Sequence, residues 1–231
     1  MDYKKIADDF FQTTCEMLTF DTEQEWLEMR MKGIGGSDVS SIMGHNRWKT
    51  RKDIFHSKMI LQPQITNDAI EFGKALEPLI FEIFKYKYRD TYATLDYKNI
   101  MFRNYFVPYF QASLDGVLVD KRNNSVGILE IKTTQEKKSK WYTADGNRGV
   151  PQEYIDQAIH YFNTTNANFV VFFALVNYKD DPNDKDMLFL KPRVIYRDDV
   201  KDYCNEVAQE CITFWEEYVK KGIEPKNIVR F

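Results

Sequence analysis

The stretch ILEIKTT (residues 128–134) decides the fold, because it places charged residues inside an otherwise apolar strand. Side chains alternate between the two faces of a strand, so Ile128, Glu130 and Lys132 share one face. Removing a charge from water is costly unless the charge is paired or binds a metal. Two interpretations remain open at this point. The segment is either an edge strand with a solvated salt pair or a buried strand that carries a functional pair.

The composition is typical of a globular protein with a substantial core. The 231 residues are 43% hydrophobic and 15% aromatic, which fits one domain spanning residues 1–231. The longest apolar run, FVVFFALV (169–176), is too short to cross a bilayer and predicts a buried strand. The segment MDYKKIADDF lacks the apolar stretch of a signal peptide, so neither a leader nor a membrane partner is expected.

Cysteine use and net charge argue against several classes of protein. Cys15, Cys204 and Cys211 lack CxxC spacing, which argues against a zinc or iron–sulfur site and for a reducing compartment such as the cytoplasm. The net charge of −3 is unlike that of a protein that coats DNA nonspecifically. It does not exclude a nuclease, in which positive charge is local and acidic residues bind metal.

Capping signals and hydrophobic periodicity predict a mixed order of helices and strands. The predicted helices cover residues 3–18, 22–32, 37–43, 50–59, 69–88, 150–164 and 198–221. The predicted strands cover residues 105–110, 114–120, 126–133 and 168–177, with another within 187–197. Thr22 and Glu25 form a capping-box pattern, Gly44 ends a helix, and Pro78 lies near a helix start or kinks the helix. Mixed strands flanked by helices indicate an α/β or α+β domain.

A second acidic residue, Asp115, lies in the segment ASLDGVLVD that precedes the ILEIKTT strand. The residues KRNNSVG between the two segments are rich in turn formers, so we predict a hairpin. A two-residue loop at Arg122–Asn123 places Asp115 opposite Glu130. A loop at Asn123–Asn124 places it opposite Lys132. Both registers put the three charged side chains on one face, whereas a three-residue loop would separate them.

Two carboxylates and a lysine on one patch of sheet favour metal chemistry. Adjacent carboxylates repel each other and gain from a shared divalent cation, and hard oxygen ligands suit Mg²⁺ or Mn²⁺. Lys132 is placed to orient a water molecule or to stabilise charge on a phosphate. This combination is typical of metal-assisted phosphodiester hydrolysis.

Five segments occur in the order found in a known family. LDG followed by EIK resembles the PD-(D/E)xK nuclease core, with Asp115 on one strand and Glu130-x-Lys132 on the next. The segments that resemble the YqaJ-type viral recombinase family, relatives of lambda exonuclease, are RMKGIGGSDVSSIMGHNRWKT (30–50), FGKALEP (72–78), QASLDG (111–116) and PQEYIDQAIHY (151–161). Leu114 stands where the family often has proline.

The resemblance implies a restriction-endonuclease-like fold. Its motif-bearing core covers about residues 26–177, with a central mixed sheet flanked by helices. Additional helices are expected at both ends, the C-terminal one at about 198–221.

The resemblance also assigns a catalytic centre. The matching residues are Glu77, Asp115, Glu130, Lys132 and Gln157. Asp115 and Glu130 correspond to metal ligands, together with the backbone carbonyl of Ile131 and the supporting carboxylate of Glu77. Lys132 corresponds to the lysine that positions the attacking water, and the helical glutamine completes the site. Ordinary surface roles are the alternative for the helical glutamate and glutamine.

Arg30, Ser37 and Gly36 resemble the family's pocket for a terminal 5′-phosphate. Glycine lets a ligand approach the backbone, and a helix N-terminus at Ser37 favours phosphate. Arg30 supplies a fork of donors for phosphate oxygens. Without the family context, the same residues fit a Gly-rich turn with an N-cap serine. Asp38 is expected only to cap its helix. Trp48 and Lys49 fit the path of the DNA, but a core position is favoured for Trp48.

The other charged residues give weaker signals. The histidines, expected to be packed or exposed rather than metal-bound, are His45, His56 and His160. A local basic stretch consists of Lys137, Lys138, Lys140 and Arg148. It fits either contacts with DNA phosphates or a solvated loop.

The resemblance implies a Mg²⁺-dependent exonuclease that digests linear duplex DNA from a 5′-phosphate end in the 5′-to-3′ direction. It also implies a ring-shaped homotrimer, a single-strand annealing protein as partner, and a viral or prophage gene expressed in the host cytoplasm. An endonuclease or nickase would keep the same core. A third alternative is a non-catalytic module that binds DNA ends or another protein.

Overall fold

A sheet built around residues 126–134 lies at the centre of the fold. A computed structural model of the chain describes residues 1–61, 66–134, 149–177, 187–189 and 191–230. The helices are α1 (Tyr3–Gln12), α2 (Glu23–Met31), α3 (Gly36–Met43), α4 (Arg51–Met59), α5 (Asp68–Lys87), α6 (Gln152–Thr165) and α7 (Lys201–Thr213). The strands are β1 (Cys15–Thr19), β2 (Tyr92–Leu95), β3 (Ile100–Asn104), β4 (Gln111–Ser113), β5 (Gly116–Asp120), β6 (Val126–Thr134), β7 (Phe169–Asn177), β8 (Met187–Phe189) and β9 (Arg193–Tyr196). A 3₁₀ turn (Arg197–Val200) precedes α7, and a π-helical segment (Phe214–Val219) follows it.

The larger sheet has the strand order β2-β5-β6-β7-β8, and β9 also pairs with β7. Strand β6 runs antiparallel to β5 and parallel to β7, so the predicted mixed sheet flanked by helices is confirmed. Because β6 has a neighbour on each side and Glu130 is only 2% exposed, the edge-strand interpretation is wrong. Strands β1, β3 and β4 form a separate antiparallel sheet.

Apolar residues fill both faces of the larger sheet. Val117 and Ile128 belong to the core that also contains Ile159 of α6. Leu129 points to the opposite face, where it belongs to a second cluster with Phe84 of α5. Full burial of such a side chain contributes about 1.5–3 kcal/mol, so packing on both faces fixes which side of β6 carries its charges.

The helix predicted over residues 3–18 is too long. Helix α1 ends at Gln12, and the following segment Cys15–Thr19 is strand β1 instead. Pairing with β3 decides its conformation, and such a long-range contact is invisible to a local helical pattern.

The strand predicted at residues 105–110 is a loop, and strands β3 and β4 lie on either side of it. The side chain of Asn104 accepts hydrogen bonds from two following backbone N–H groups, at 2.8 and 3.0 Å. This arrangement turns the chain at the point where an extended strand was expected. Strand β2 was not predicted, and the region 187–197 contains both β8 and β9 rather than one strand.

Several local signals were interpreted correctly. Thr22 Oγ1 accepts from the backbone N–H of Glu25 at 3.2 Å, completing the predicted capping box of α2. Gly44 ends α3 with a φ of 84°, a conformation that glycine adopts without strain. Pro78 lies inside α5 rather than near its start. Within the described residues, none of the helices has both the length and the apolar character needed to span a bilayer.

Candidate active site

The hairpin of β5 and β6 brings the first two acidic residues together. Gly116 pairs with Leu129, which places Asp115 opposite Glu130, the first of the two predicted registers. The backbone N–H of Ile131 donates to Asp115 Oδ2 at 2.7 Å and fixes that carboxylate. The connection is longer than the predicted two-residue loop, since the last backbone bond of the hairpin joins Asp120 and Ser125 at 2.9 Å.

Glu130, Lys132 and Gln157 form a closed set of contacts. Lys132 Nζ lies 2.5 Å from Glu130 Oε1 and donates to Gln157 Oε1 at 3.0 Å. Gln157 Nε2 in turn donates to Glu130 Oε1 at 2.8 Å. Helix α6 thus supplies one amide that orients both charged groups of strand β6.

Two tyrosines complete this set, and neither was predicted as a site residue. Gln157 Nε2 donates to Tyr161 Oη at 2.6 Å. Lys132 Nζ lies 4.6 Å from the ring centre of Tyr154. Their spacing of four and three residues from Gln157 puts them on its face of α6, and this spacing was the available signal.

Burial and crowding of the carboxylates perturb their proton affinity. Burial, reinforced by the charges of Glu130 and Glu77, raises the pKa of Asp115 well above its ordinary value. Burial and the charge of Glu130 likewise raise the pKa of Glu77. Burial opposes the charged form of Lys132, but Glu130 and Asp115 outweigh it and raise the pKa of that lysine.

The donor set fits a divalent metal in its chemistry. Glu130 Oε2 is buried and has no hydrogen-bond partner among the described residues, so it is available as a ligand. A cation there would offset the repulsion between the buried carboxylates of Asp115 and Glu130. Three or more Asp, Glu, His or Cys side chains do not gather around one point in the described ranges. Binding of a metal would therefore depend on the carboxylates of Asp115 and Glu130 and on a backbone oxygen. The role of the Ile131 carbonyl as that ligand remains a prediction.

The residues predicted for phosphate binding also lie together. Arg30 Nη2 donates to Ser37 Oγ at 2.9 Å and to Asp38 Oδ1 at 3.0 Å. Asp38 does cap the helix, because its Oδ2 accepts from the backbone N–H of Gly35 at 2.9 Å. It also pairs with Arg30, so it does more than cap. Helix α3 begins at Gly36 rather than at the predicted Ser37, with Gly35 as its N-cap.

Gly36 links the two groups of residues. A Cβ at this position would lie 2.8 Å from Tyr161 Cε1 and 2.9 Å from Gln157 Cγ. The buried glycine therefore allows α3 to approach α6 closely. The role of Gly36 in phosphate contact remains a prediction, but its packing connects the segment that contains Ser37 and Asp38 to Gln157.

The sequence model of the YqaJ-like viral recombinase domain matches residues 25–168. The chain belongs to this family. A curated relative, the uncharacterized protein YqaJ of Bacillus subtilis (strain 168), is 29% identical over 158 residues. That match covers 67% of this chain and 46% of the relative, so the chain spans less than half of the relative's length.

Solved structures share the fold. The alkaline exonuclease LHK-Exo of Laribacter hongkongensis, in complex with dAMP, has a TM-score of 0.65 and 23% identity, covering 87% of this chain and 94% of that chain. A phage-related exonuclease of Haemophilus somnus 129PT has a TM-score of 0.52 and 11% identity, covering 82% of this chain and 96% of that chain. At these identities the likeness establishes the architecture alone.

The region matched to the YqaJ family contains every predicted site residue and ends beyond α6. Trp48 lies in that region but outside the core: it is 66% exposed, with the Arg47 guanidinium 4.5 Å from its ring centre. The prediction of a core tryptophan was therefore wrong. The basic stretch at 137–148 lies outside the described residues.

The histidines have protein partners in the part of the chain that the structure describes. His160 is fully buried, and its Nε2 lies 2.9 Å from the carbonyl oxygen of Ile34 and 3.1 Å from that of Gln111. His45 Nδ1 lies 2.8 Å from Asp156 Oδ2. His160 is thus a packed core histidine, as expected. The cysteines, which are all buried free thiols as expected, are Cys15, Cys204 and Cys211.

Proposed function

We propose that this chain is a metal-dependent DNA exonuclease. The observation that carries the proposal is the buried cluster in which Gln157 binds both Glu130 and Lys132, next to Asp115. A buried set of like and opposite charges that is fixed by hydrogen bonds is typical of an active site. The similar structures described as exonucleases support the same reaction class.

The proposed reaction is hydrolysis of a phosphodiester bond. Asp115 and Glu130 would hold Mg²⁺, or Mn²⁺, which would activate water and offset negative charge that develops on the phosphate. Lys132 would orient the attacking water or bind a phosphate oxygen, because Glu130 and Gln157 fix its ammonium group. Glu77 would support the metal or its water, and the perturbation of its pKa by Glu130 supports this proximity.

The proposed direction of digestion is 5′ to 3′ on linear duplex DNA. Arg30 and Ser37 would bind a terminal 5′-phosphate beside the N-terminus of α3. An anchored end would let the site remove nucleotides from that strand and leave the other as single-stranded DNA for recombination. The complex of LHK-Exo with dAMP is compatible with a mononucleotide product.

The family membership supports further proposals about biological context. We propose a homotrimeric ring around DNA, a single-strand annealing protein as partner, and a viral or prophage enzyme that acts in the host cytoplasm. We also propose one nuclease domain across residues 1–231, with the site in a core of about 26–177 and a helical extension at about 198–221.

Digestion of a linear duplex with one 5′-phosphate and one 5′-hydroxyl end tests the reaction. We expect Mg²⁺-dependent loss from the phosphorylated end, abolished by Glu130→Gln and retained by Glu82→Gln. Glu82 is a suitable control because its side chain is exposed on α5. Circular dichroism would show that both variants are folded.

Two outcomes would redirect the assignment. Cleavage of a closed circular duplex would favour an endonuclease or nickase with the same core. Failure of the folded wild-type protein to cleave with Mg²⁺ or Mn²⁺ would contradict the catalytic proposal and favour a module that binds DNA ends.

A further inference from the structure

The Arg30 guanidinium is held on three sides. Its Nη2 donates to Ser37 and to Asp38, and its central carbon lies 4.9 Å from the ring centre of Trp26. The Trp26 Nε1 donates to Ser113 Oγ at 3.1 Å, so the ring is itself fixed to strand β4. Nη2 is the donor in both described hydrogen bonds of the guanidinium. Nη1 and Nε can therefore donate to a ligand.

A buried lysine shares the carboxylate that holds Arg30. Lys58 Nζ donates to Asp38 Oδ2 at 2.7 Å and to the backbone carbonyl of Arg30 at 3.1 Å. The Lys58 side chain is only 3% exposed, and that of Asp38 is 6% exposed. Lys58 therefore fixes both the partner and the backbone of Arg30, yet it is too buried to contact a macromolecular ligand.

The side chains of Arg30, Asp38 and Lys58 together carry a net positive charge. One carboxylate lies between two cations, so the three side chains together carry one positive charge. Arg30 is the accessible member, with 26% of its side chain exposed. Without the ammonium of Lys58, Asp38 would neutralise Arg30 and would repel an approaching anion. Despite burial, Lys58 and Arg30 hold the pKa of Asp38 well below its ordinary value, so the carboxylate is ionised near neutral pH. Burial lowers the pKa of Lys58, and the charge of Asp38 opposes that shift.

We propose that Asp38 and Lys58 are positioning residues that make Arg30 selective for a terminal phosphate monoester, an inference that rests on the proposed binding of a DNA end. Asp38 fixes the orientation of the guanidinium, and Lys58 cancels the charge of Asp38. A monoester carries about −1.5 to −2 charges at neutral pH, more than the single charge of an internal diester. A fixed fork with a net positive charge therefore gains most from a phosphate at a strand end.

Binding without hydrolysis tests this proposal separately from catalysis. Fluorescence anisotropy in EDTA would compare blunt duplexes that end in 5′-phosphate or 5′-hydroxyl, and the ratio of their dissociation constants measures selectivity. The variants are Lys58→Met, which keeps the volume but removes the charge, and the double variant Asp38→Asn/Lys58→Met, which leaves no unpaired buried charge. Arg30→Ala defines the selectivity that remains without the guanidinium.

Arg51→Met is the matched control. Arg51 lies on the same helix as Lys58 and is also buried, but its described ion pair is with Glu210. We expect about a tenfold fall in the phosphate-to-hydroxyl ratio for Lys58→Met and for the double variant, approaching the value of Arg30→Ala, and no change for Arg51→Met.

Kinetics provide a second measurement where the protein cleaves DNA. Both positioning variants should raise KM for 5′-phosphate ends while kcat stays near the wild-type value, because the groups on β6 are unaltered. A wild-type protein with no phosphate preference, or folded variants with the wild-type ratio, would overturn the proposal. If the protein does not cleave DNA but its selectivity for phosphate depends on Lys58, the proposal for Asp38 and Lys58 is preserved. Only the nuclease assignment is then overturned.

Discussion

Lowering the pH from about 7 to about 4 should destabilise the fold through His160. This side chain is fully buried, its Nε2 faces two backbone carbonyl groups, and its Nδ1 is buried without a partner among the described residues. Burial lowers the pKa of His160 from 6.5 to about 4. A proton on Nδ1 would add a charge and an unsatisfied donor to a fully buried side chain.

The sign and size of the effect follow from proton linkage. Between pH 6.5 and about pH 4 the unfolded chain binds a proton at His160 that the folded chain does not. The free energy of unfolding therefore falls as the pH drops through this window. The gap between the two pKa values corresponds to about 3 kcal/mol, reached when the pH is at or below the folded value. Two charged groups also act on His160: Asp38 favours its protonated form, and Lys58 disfavours it.

Urea unfolding at a series of pH values would measure this contribution. His160→Gln is the comparison, since glutamine keeps a donor for the carbonyl groups but does not titrate. The variant should be less stable than the wild type at pH 7 because the packing changes, and the difference should shrink on acidification. Carboxylates that titrate in the same window are common to both proteins and cancel in the difference. Parallel pH dependences for the two proteins would refute the reasoning.

Three further substitutions test the site and its support. Asp38→Asn alone should destabilise the protein by about 3–5 kcal/mol, because the ammonium of Lys58 remains buried without its counter-ion. Urea unfolding should show a smaller loss of stability for Asp38→Asn/Lys58→Met. Equal losses for the two variants would contradict this reason. Gly36→Ala should cost about 1–3 kcal/mol, because the added methyl group collides with Tyr161 and Gln157; an unchanged urea midpoint would show that α3 and α6 can separate freely. Gln157→Leu should lower kcat about 10²-fold with little change in KM, because Lys132 and Glu130 lose their shared amide; a change confined to KM in steady-state digestion would place Gln157 in substrate binding instead.

The sequence predicted the centre of the fold well because the relevant signals are local. Alternation along ILEIKTT placed Glu130 and Lys132 on one face, and turn formers between the strands predicted the hairpin that adds Asp115. The order of the motifs then led to the family. The capping box at Thr22 and the C-cap at Gly44 depend on contacts within a few residues, and both are present in the structure.

The predictions failed at a strand, at an exposed tryptophan and at a tyrosine of the candidate site. Residues 15–19 continue a pattern compatible with helix, yet pairing with β3 makes them a strand. Trp48 has the residue type of a core position, but the structure leaves it exposed. Tyr161 was not predicted as a site residue, although its hydroxyl accepts from Gln157 at 2.6 Å. The contact that makes residues 15–19 a strand comes from another element, whereas Tyr161 bonds to Gln157 within α6.

The sequence by itself determined which residues share the central strand, where helices α2 and α3 end, and which chemistry two carboxylates and a lysine can perform. These features depend on backbone geometry and on neighbours along the chain. Only the tertiary structure decided that β6 is interior, that Lys58 shares Asp38 with Arg30, and that His160 lies between two carbonyl groups. Those outcomes depend on desolvation. Packing removes a charged or polar group from water, and only then does burial of that group cost free energy unless another element supplies a partner.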